Sequence, residues 1–139
     1  MSAAVESRSF RVSSDEVAAM DSWVEQVTAQ WGESERTAFR ARLCIAELAA
    51  NVVEHGIARS GDGRIVVTLR RLGDGVGVEF QDSCEPFDPT VEAVVASAAS
   101  IESVSPGGRG LMLIRAYANN ISYSNDGGCN RTILKIKSV

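Results

Sequence analysis

Residues 65–82 read I-V-V-T-L-R-R-L-G-D-G-V-G-V-E-F-Q-D, and this stretch decides the fold. Apolar side chains recur at every second position in both halves of the stretch, at Ile65, Val67 and Leu69 and again at Val76, Val78 and Phe80. A period of two is typical of β-strands with one buried face, and the G-D-G at 73–75 is typical of a tight turn. The stretch therefore predicts an antiparallel β-hairpin whose second strand ends at Asp82.

One strand and two helices are predicted ahead of this hairpin. Residues 9–12 alternate polar and apolar side chains, as a short strand does, and Ser13 can then cap a helix over 14–31. Residues 37–55 contain no glycine or proline and are rich in Ala, Arg, Leu and Glu, which are strong helix formers. Gly56 is well placed to end this second helix.

A second hairpin is predicted near the end of the chain. Residues 111–118 favour a third helix, and 121–123 and 132–136 favour two strands around a Gly-Gly turn. Between the hairpins, the Ala-, Val- and Ser-rich residues 91–104 predict a weak helix inside a mobile loop. Because hairpins join consecutive strands, the order of elements favours an α+β two-layer sandwich, with a mostly antiparallel sheet covered on one face by helices, over a doubly wound parallel sheet.

The composition describes one globular domain spanning 1–139. The chain has 139 residues, of which 45% are hydrophobic and 23% charged, and this length is enough for one core but not for two. A net charge of -4 excludes a broad positive field for nucleic acid or anionic lipid. The three cysteines lack C-x-x-C spacing, which argues against a disulfide framework or zinc site and favours a reducing cytoplasm. There is no signal sequence and no uncharged apolar run of the roughly 18–20 residues that cross a bilayer, so we expect no export or membrane insertion.

The second predicted helix carries a polar stripe. Glu47, Asn51 and His55 are spaced i, i+4 and i+8, so they share one face of the helix. Four apolar residues are expected to surround the stripe: Leu43, Ala46, Ala50 and Val53. An amide oxygen is a suitable ligand for Mg²⁺, and a carboxylate one turn away could polarise a hydroxyl aimed at a phosphate. The alternative is a solvated helix face with no chemical role.

A carboxylate stands where the second strand of the first hairpin ends. Asp82 is followed by S-C-E-P-F-D-P, a turn-forming sequence. An inward-pointing carboxylate at this place could accept hydrogen bonds from the amino group of a ligand. The alternative is an aspartate that only forms the turn, and Asp88 before Pro89 is better explained in that way.

A glycine cluster precedes the third predicted helix. Gly107, Gly108 and Gly110 leave the backbone N–H groups accessible to an anion at a helix N-terminus. The spacing is neither G-x-x-x-x-G-K-[ST] nor a G-x-G-x-x-G after a strand, so it fits neither a P-loop nor a Rossmann site. By itself the cluster could equally form a flexible turn.

Taken together, these motifs resemble the N, G1 and G2 boxes of the ATP-binding fold shared by gyrase, the heat-shock chaperone ATPases, histidine kinases and mismatch-repair ATPases. E-x-x-x-N, D-x-x-x-P-F and G-G-x-G-L occur in that order, and the resemblance covers essentially the whole chain. The short length, the P-F-D-P and the G-G-R-G-L-x-L-I look like the anti-sigma-factor serine/threonine kinases of bacterial sporulation and stress pathways. The resemblance implies a Bergerat-type fold of the histidine kinase-like ATPases, ATP and Mg²⁺ as cofactors, and an ATP lid over residues 88–108.

The resemblance also implies roles for individual residues. Asn51 would hold Mg²⁺, Glu47 would be the general base that activates the substrate serine, and Asp82 would accept the adenine amino group. Gly108 and Gly110 would line the phosphate site. The remaining residues expected to bind the nucleotide are Phe87, Gly107, Arg109, Leu111 and Thr132.

One departure from the family pattern supports a different function. Cys84 stands where the D-x-G of the G1 box has glycine, so the turn loses the backbone freedom that glycine gives. A nucleotide-responsive binding switch without significant kinase activity is therefore the alternative. A cysteine hydrolase that uses Cys84 and His55 is a third reading, which requires the two side chains to meet in space.

The resemblance implies protein partners. A small anti-sigma-factor antagonist with a phosphorylatable serine or threonine is the expected substrate, and a sigma factor is a second candidate partner. The first strand, with Phe10, is expected to leave an exposed sheet edge, which is a natural contact for a homodimer. With no sensor domain in 139 residues, we expect regulation through partner proteins and nucleotide state.

Overall fold

The computed structural model describes residues 4–55, 63–83 and 114–139. Its elements are β1 (Val5–Arg11), α1 (Ser14–Gln30), α2 (Glu35–His55), β2 (Arg64–Leu72), β3 (Gly75–Asp82), β4 (Asn120–Asp126) and β5 (Cys129–Lys137). The strands form one sheet in the order β1-β2-β3-β5-β4, and each neighbouring pair is antiparallel. The predicted α+β sandwich and both predicted hairpins are confirmed.

Glycines form the turns of both hairpins. Gly127 and Gly128 join β4 to β5 with φ of 61° and 83°, the conformation that a type I′ turn requires and that residues with a Cβ rarely adopt. Gly75 starts β3 so close to β5 that a Cβ there would lie 2.2 Å from the carbonyl oxygen of Ile136. Glycine is required at Gly75 for space rather than for its φ.

One face of the sheet carries the core. The inward-facing side chains that are almost wholly buried are Phe10, Ile65, Val67, Leu69, Val76, Val78, Phe80, Leu134 and Ile136. Helix α1 packs Met20, Trp23, Val24 and Val27 into the same cluster. The opposite face carries small polar and charged groups, among them Ser7 and Thr68, whose hydroxyls hydrogen-bond at 3.0 Å. This division between faces produces the two-layer arrangement.

Helix α2 packs one apolar stripe into the core. Its residues in the core are Ala41, Cys44, Ile45, Leu48 and Ala49. Of the apolar residues expected around the polar stripe, Leu43, Ala46 and Val53 are half-buried and Ala50 is exposed. These four residues are not part of the core cluster, because packing on the sheet selects a different apolar face of the helix.

The first strand is longer than expected, and its phenylalanine points inward. Strand β1 begins at Val5, whereas the alternation predicted a start at residue 9. Phe10 is buried and its ring meets that of Trp23 edge-on, with centroids 5.9 Å apart. The strand is the sheet edge, as predicted, but the side chain of Phe10 is part of the core and not of an exposed surface.

The two helices are joined by an arginine clamp. The guanidinium of Arg42 on α2 donates to both oxygens of Asp21 on α1, at 3.0 and 2.8 Å. It also donates to Glu25 at 2.7 Å. A bidentate pair fixes geometry better than a single charge contact, so the clamp sets the position of α2 relative to α1.

Some predicted elements extend beyond the described residues. Of the predicted helix over 111–118, the structure describes 114–117 as helical, with Ile114 in the core. The predicted lid and the weak helix over 91–104 lie outside the described residues. No helix in the described part of the chain is both long and apolar enough to cross a membrane.

Candidate functional site

Asn51 lies in α2 with its side chain in the protein interior. Its exposure is 4%, and its amide nitrogen Nδ2 is buried without a hydrogen-bond partner among residues 4–55, 63–83 and 114–139. An unsatisfied buried donor costs about 1–3 kcal/mol, so this position is unfavourable unless a ligand completes it. A solvated helix face, the alternative reading of the stripe, does not describe Asn51. The side chain of His55 lies outside the described part.

Glu47 is one helical turn before Asn51 and is half-buried. Burial raises the pKa of its carboxyl above the ordinary 4.5, because a low-dielectric surrounding disfavours the charged form. A carboxylate with a raised pKa is a stronger base than an ordinary glutamate once it is deprotonated. Glu47 is thus suited to accept a proton.

Cys44 lies next to Glu47 on the core side of α2. Burial and the negative charge of Glu47 together raise the pKa of the Cys44 thiol to about 12. A thiol in this state carries almost no thiolate at neutral pH and is a poor nucleophile. The structure gives Cys44 a packing role.

Asp82 ends β3 on the face of the sheet that packs against the helices. Its exposure is 8%, and it lies directly opposite Asn130 of β5. The amide nitrogen of Asn130 donates to Oδ1 of Asp82 at 2.9 Å. A buried carboxylate held in this way is more than a turn-forming aspartate, because its orientation is fixed from the neighbouring strand.

Asn130 is a site residue that the sequence reasoning missed. Its Oδ1 accepts hydrogen bonds from the Tyr123 hydroxyl and from the Asn125 amide, the latter at 3.0 Å. Asparagine after a Gly-Gly turn is ordinarily explained as part of the turn. The signal was the period of two in β5, which places Asn130 on the same face as Thr132 and Leu134.

Thr132 extends this polar group toward the core. It is 5% exposed and pairs with Phe80, two residues before Asp82 on β3. The structure thus brings Asp82 and Thr132 together on one face of neighbouring strands. Helix α2, which carries Glu47 and Asn51, contacts both β3 and β5.

The other predicted site residues are not described by the structure. They are Phe87, Gly107, Gly108, Arg109, Gly110 and Leu111, together with Cys84 of the altered turn. Their assignment stays a prediction. Over residues 4–55, 63–83 and 114–139, no three His, Cys, Asp or Glu side chains are grouped so that they could hold a metal ion.

The described residues fit a nucleotide and its metal ion. Asn51 presents a buried amide that lacks a partner, and such an amide suits a phosphate oxygen, a metal-bound water or, through its carbonyl oxygen, Mg²⁺ itself. Asp82 presents a buried acceptor for an amino group. Glu47 presents a base. This arrangement can bind an amino-substituted base at one end and activate a hydroxyl at the other.

Known proteins resemble this chain over most of its length. The family model for the histidine kinase-like ATPase domain matches residues 10–136. The chain is 30% identical over 117 residues to the serine/threonine-protein kinase BtrW of Bordetella bronchiseptica, and the match covers 84% of this chain and 82% of BtrW.

Two solved structures share the fold. The RsbU and RsbW domains of Rv1364c from Mycobacterium tuberculosis match with a TM-score of 0.70 and 17% identity, over 96% of this chain and 32% of that longer chain. The catalytic domain of histidine kinase ThkA matches with a TM-score of 0.53 and 17% identity, over 96% of this chain and 97% of that domain.

Proposed function

The chain belongs to the histidine kinase-like ATPase domain family, in the branch of the serine/threonine-protein kinases, and we propose that it phosphorylates a small antagonist protein of a partner-switching pathway. The acceptor is a serine or threonine of the antagonist, and the phosphoryl donor is ATP. A sigma factor is the proposed second partner, which the chain would sequester when the antagonist is phosphorylated. The proposed location is the cytoplasm, where ATP is available.

The observation that carries this proposal is the state of Asn51. Its buried amide nitrogen has no hydrogen-bond partner in the described part of the chain, which is costly in the protein alone, and phosphate oxygens or the hydration shell of Mg²⁺ would satisfy it. When bound, Mg²⁺ offsets the charge of the triphosphate. The half-buried Glu47, one turn away on α2, then faces the same end of the nucleotide.

The roles of the other residues follow from their chemistry. Glu47 accepts the proton of the substrate hydroxyl while the bond from that oxygen to the γ-phosphorus forms and the bond to the β,γ-bridging oxygen breaks, which leaves ADP. Asp82 accepts a hydrogen bond from the adenine amino group, and Thr132 lies beside it.

The residues outside the described part complete the proposal. The backbone amides of Gly107, Gly108 and Gly110 would position the phosphates, with Phe87, Arg109 and Leu111 around the nucleotide and a lid over residues 88–108. Catalysis in this arrangement depends mainly on positioning and electrostatic stabilisation.

A homodimer formed through the edge of the sheet is part of the proposal. Strand β1 pairs on one side with β2 and is the last strand of the sheet. An edge strand presents backbone groups to which a second chain can add.

A binding switch without kinase activity is the second candidate. Cys84 in place of the G1 glycine favours it, because a side chain at this position restricts the turn that follows Asp82. Such a protein would bind ATP and partners but would transfer no phosphate.

Titration calorimetry followed by a transfer assay tests the proposal. The full chain is titrated with ATP, with and without Mg²⁺, and then incubated with γ-labelled ATP and a candidate antagonist, a small single-domain protein with a phosphorylatable serine or threonine. We expect binding and labelling of a serine or threonine. Binding without labelling would support the switch, and the absence of ATP binding would contradict both functions.

Glu47→Gln tests the role of Glu47 as the general base, and Glu54→Gln is its matched control. We expect this substitution to lower transfer at least 100-fold, because general base catalysis contributes about 10²–10⁴-fold, and to leave the affinity for ATP within about twofold. Glu54→Gln removes an exposed carboxylate from the same helix and should leave both quantities unchanged. Full transfer activity in Glu47→Gln would remove the assigned role.

A further inference from the structure

A series of hydrogen-bonded polar side chains connects β4, β5 and β3 and ends at Asp82. The Tyr123 hydroxyl and the Asn125 amide on β4 donate to Oδ1 of Asn130 on β5, and Nδ2 of Asn130 donates to Asp82 on β3. Asn130 is 4% exposed and Asp82 is 8% exposed, so the connection between them lies in the interior. At the outer end of this series of hydrogen bonds, Tyr123 is half-buried and Asn125 is exposed.

The carboxylate of Asp82 fixes the donor and acceptor roles of Asn130 in this series of hydrogen bonds. A carboxylate only accepts hydrogen bonds, so Asn130 can face Asp82 only with its NH₂ group. The amide oxygen then points away, toward β4, where two donors meet it. Each donor on β4 therefore favours the one orientation of Asn130 in which Asp82 receives a hydrogen bond.

We propose that Asn130, oriented by Tyr123 and Asn125, is a positioning residue that determines which purine base the site accepts. The inference rests on the proposed nucleotide-binding function and extends it to base selection. Asp82, held at Oδ1 from β5, is presented as an acceptor in one orientation. An exocyclic amino group, as in adenine, matches this acceptor, whereas the carbonyl oxygen of hypoxanthine at the same ring position places two acceptors against each other.

Discrimination of this kind depends on a fixed acceptor. A site built to hydrogen-bond one group rejects the analogue that lacks the group, because the buried partner is then left unpaired. If the carboxylate of Asp82 can rotate away from the base, the binding free energy lost with hypoxanthine becomes smaller, and so does the binding free energy gained with adenine. The loss of Asn130 should therefore reduce the preference between the bases and not only the overall affinity.

The test compares ATP with inosine triphosphate, in which the carbonyl oxygen replaces the amino group. Titration calorimetry on the full chain gives both Kd values, and their ratio is the readout. In the wild-type protein we expect ATP to bind at least tenfold more tightly. In Asn130→Ala we expect the Kd for ATP to rise about tenfold, the scale of one hydrogen bond to a charged group, and that for inosine triphosphate less than twofold.

The control and the second variant separate positioning from folding. Asn120→Ala removes an exposed asparagine of β4 and should leave the ratio unchanged. Tyr123→Phe keeps the ring and Asn130 but removes one of the two donors, and we expect the ratio to fall by about two- to fivefold, the scale of part of a neutral hydrogen bond.

Equal losses for both nucleotides in Asn130→Ala would show a merely structural role and overturn the inference. If Asn130→Ala does not fold, an unchanged ratio in Tyr123→Phe overturns it. A wild-type protein that binds neither nucleotide contradicts the proposed function itself. If the wild-type protein prefers ATP and the variants prefer it to the same extent, the proposed function stands and only the inference about Asn130 is overturned.

Discussion

If Asn51 binds the nucleotide as proposed, stability and ligand binding make opposite demands on this residue. The folded protein buries its amide nitrogen, which has no hydrogen-bond partner among the described residues, and a less polar side chain of the same size would remove that cost. The amide lies in a helix whose other core residues are Ala41, Cys44, Ile45, Leu48 and Ala49. This pattern is typical of functional sites, where local stability is given up for a binding interaction.

Asn51→Leu should separate these demands. We expect the free energy of unfolding without nucleotide to stay equal or to rise by about 1 kcal/mol, since an unsatisfied buried donor is replaced by an apolar group. We also expect the stabilisation by ATP and Mg²⁺ to disappear. Urea denaturation with and without nucleotide measures both quantities, and a variant that ATP still stabilises would contradict the assigned role.

The pH dependence of phosphoryl transfer should report Glu47. The general base must be deprotonated, and burial raises its pKa above 4.5, so the rate should fall as the pH drops through that raised pKa. The acidic limb of the rate profile is then expected above the range of an exposed glutamate. Glu54→Gln should keep the limb where it is. A rate that stays constant down to pH 4.5 would exclude Glu47 as the base.

At this scale, the sequence identified the carboxylates and amides of the site but not the residue that orients them. Asp82 and Thr132 follow from alternation and motif, because a strand places every second residue inward. Asn130 obeys the same alternation, yet its contact with Asp82 depends on the β3-β5 register. Since β3 and β5 are far apart in the sequence, the pattern of one strand alone does not predict that register.

Strands β3 and β5, which belong to different hairpins, approach each other closely at Gly75. At Gly75 the backbone of β3 leaves no room for a Cβ beside the backbone of β5. A Cβ added at Gly73, in the preceding turn, would have no atom within 4 Å. These glycines are two residues apart and fulfil different requirements. The chain therefore offers a matched pair of substitutions.

Gly75→Ala should destabilise the sheet far more than Gly73→Ala. The added methyl would lie 2.2 Å from a backbone oxygen, so the two strands must separate, at a cost of about 1–3 kcal/mol or more. Gly73→Ala should change the free energy of unfolding by less than about 1 kcal/mol. Thermal or urea denaturation compares the two, and equal effects would contradict the close approach.

The elements that the sequence predicted best are those with local signals. Both hairpins carry their turn chemistry beside a clear alternation, and α1 starts at the predicted cap Ser13. The start of strand β1 was predicted four residues too late, because Glu6, Ser7 and Arg8 show no alternation and are held extended by pairing with β2. Its start is thus set by a partner strand that is distant in the sequence.

At the scale of the whole molecule, the sheet formed by the described residues has one face covered by helices, one open face and two edge strands. Val5 lies in the edge strand β1 with 44% exposure, and Ile133 lies in the open face of β5 with 45% exposure. Two strands separate β5 from β1. An edge-to-edge dimer and a face-to-face dimer would therefore use different residues.

We expect Val5→Lys to shift the protein toward monomer and Ile133→Lys to leave the dimer intact. A charge in an edge strand opposes the addition of another strand, whereas a charge on the open face does not. Light scattering over a range of protein concentrations measures the mass. A wild-type monomer would contradict the homodimer, and a monomer only in Ile133→Lys would indicate face-to-face association.

The buried Cys44 makes the protein its own reporter of core opening. Its thiol, with a pKa of about 12, lies in the apolar cluster on the helix that carries Glu47 and Asn51. An alkylating reagent can reach it only in molecules whose core has briefly opened, so the alkylation rate of Cys44, measured by peptide mass spectrometry apart from that of the half-buried Cys129, reports how often α2 leaves the sheet. A ligand that binds only the closed core slows this reaction in proportion to its occupancy. Nucleotide binding at α2 could thus be followed over time in the unlabelled, unmodified chain.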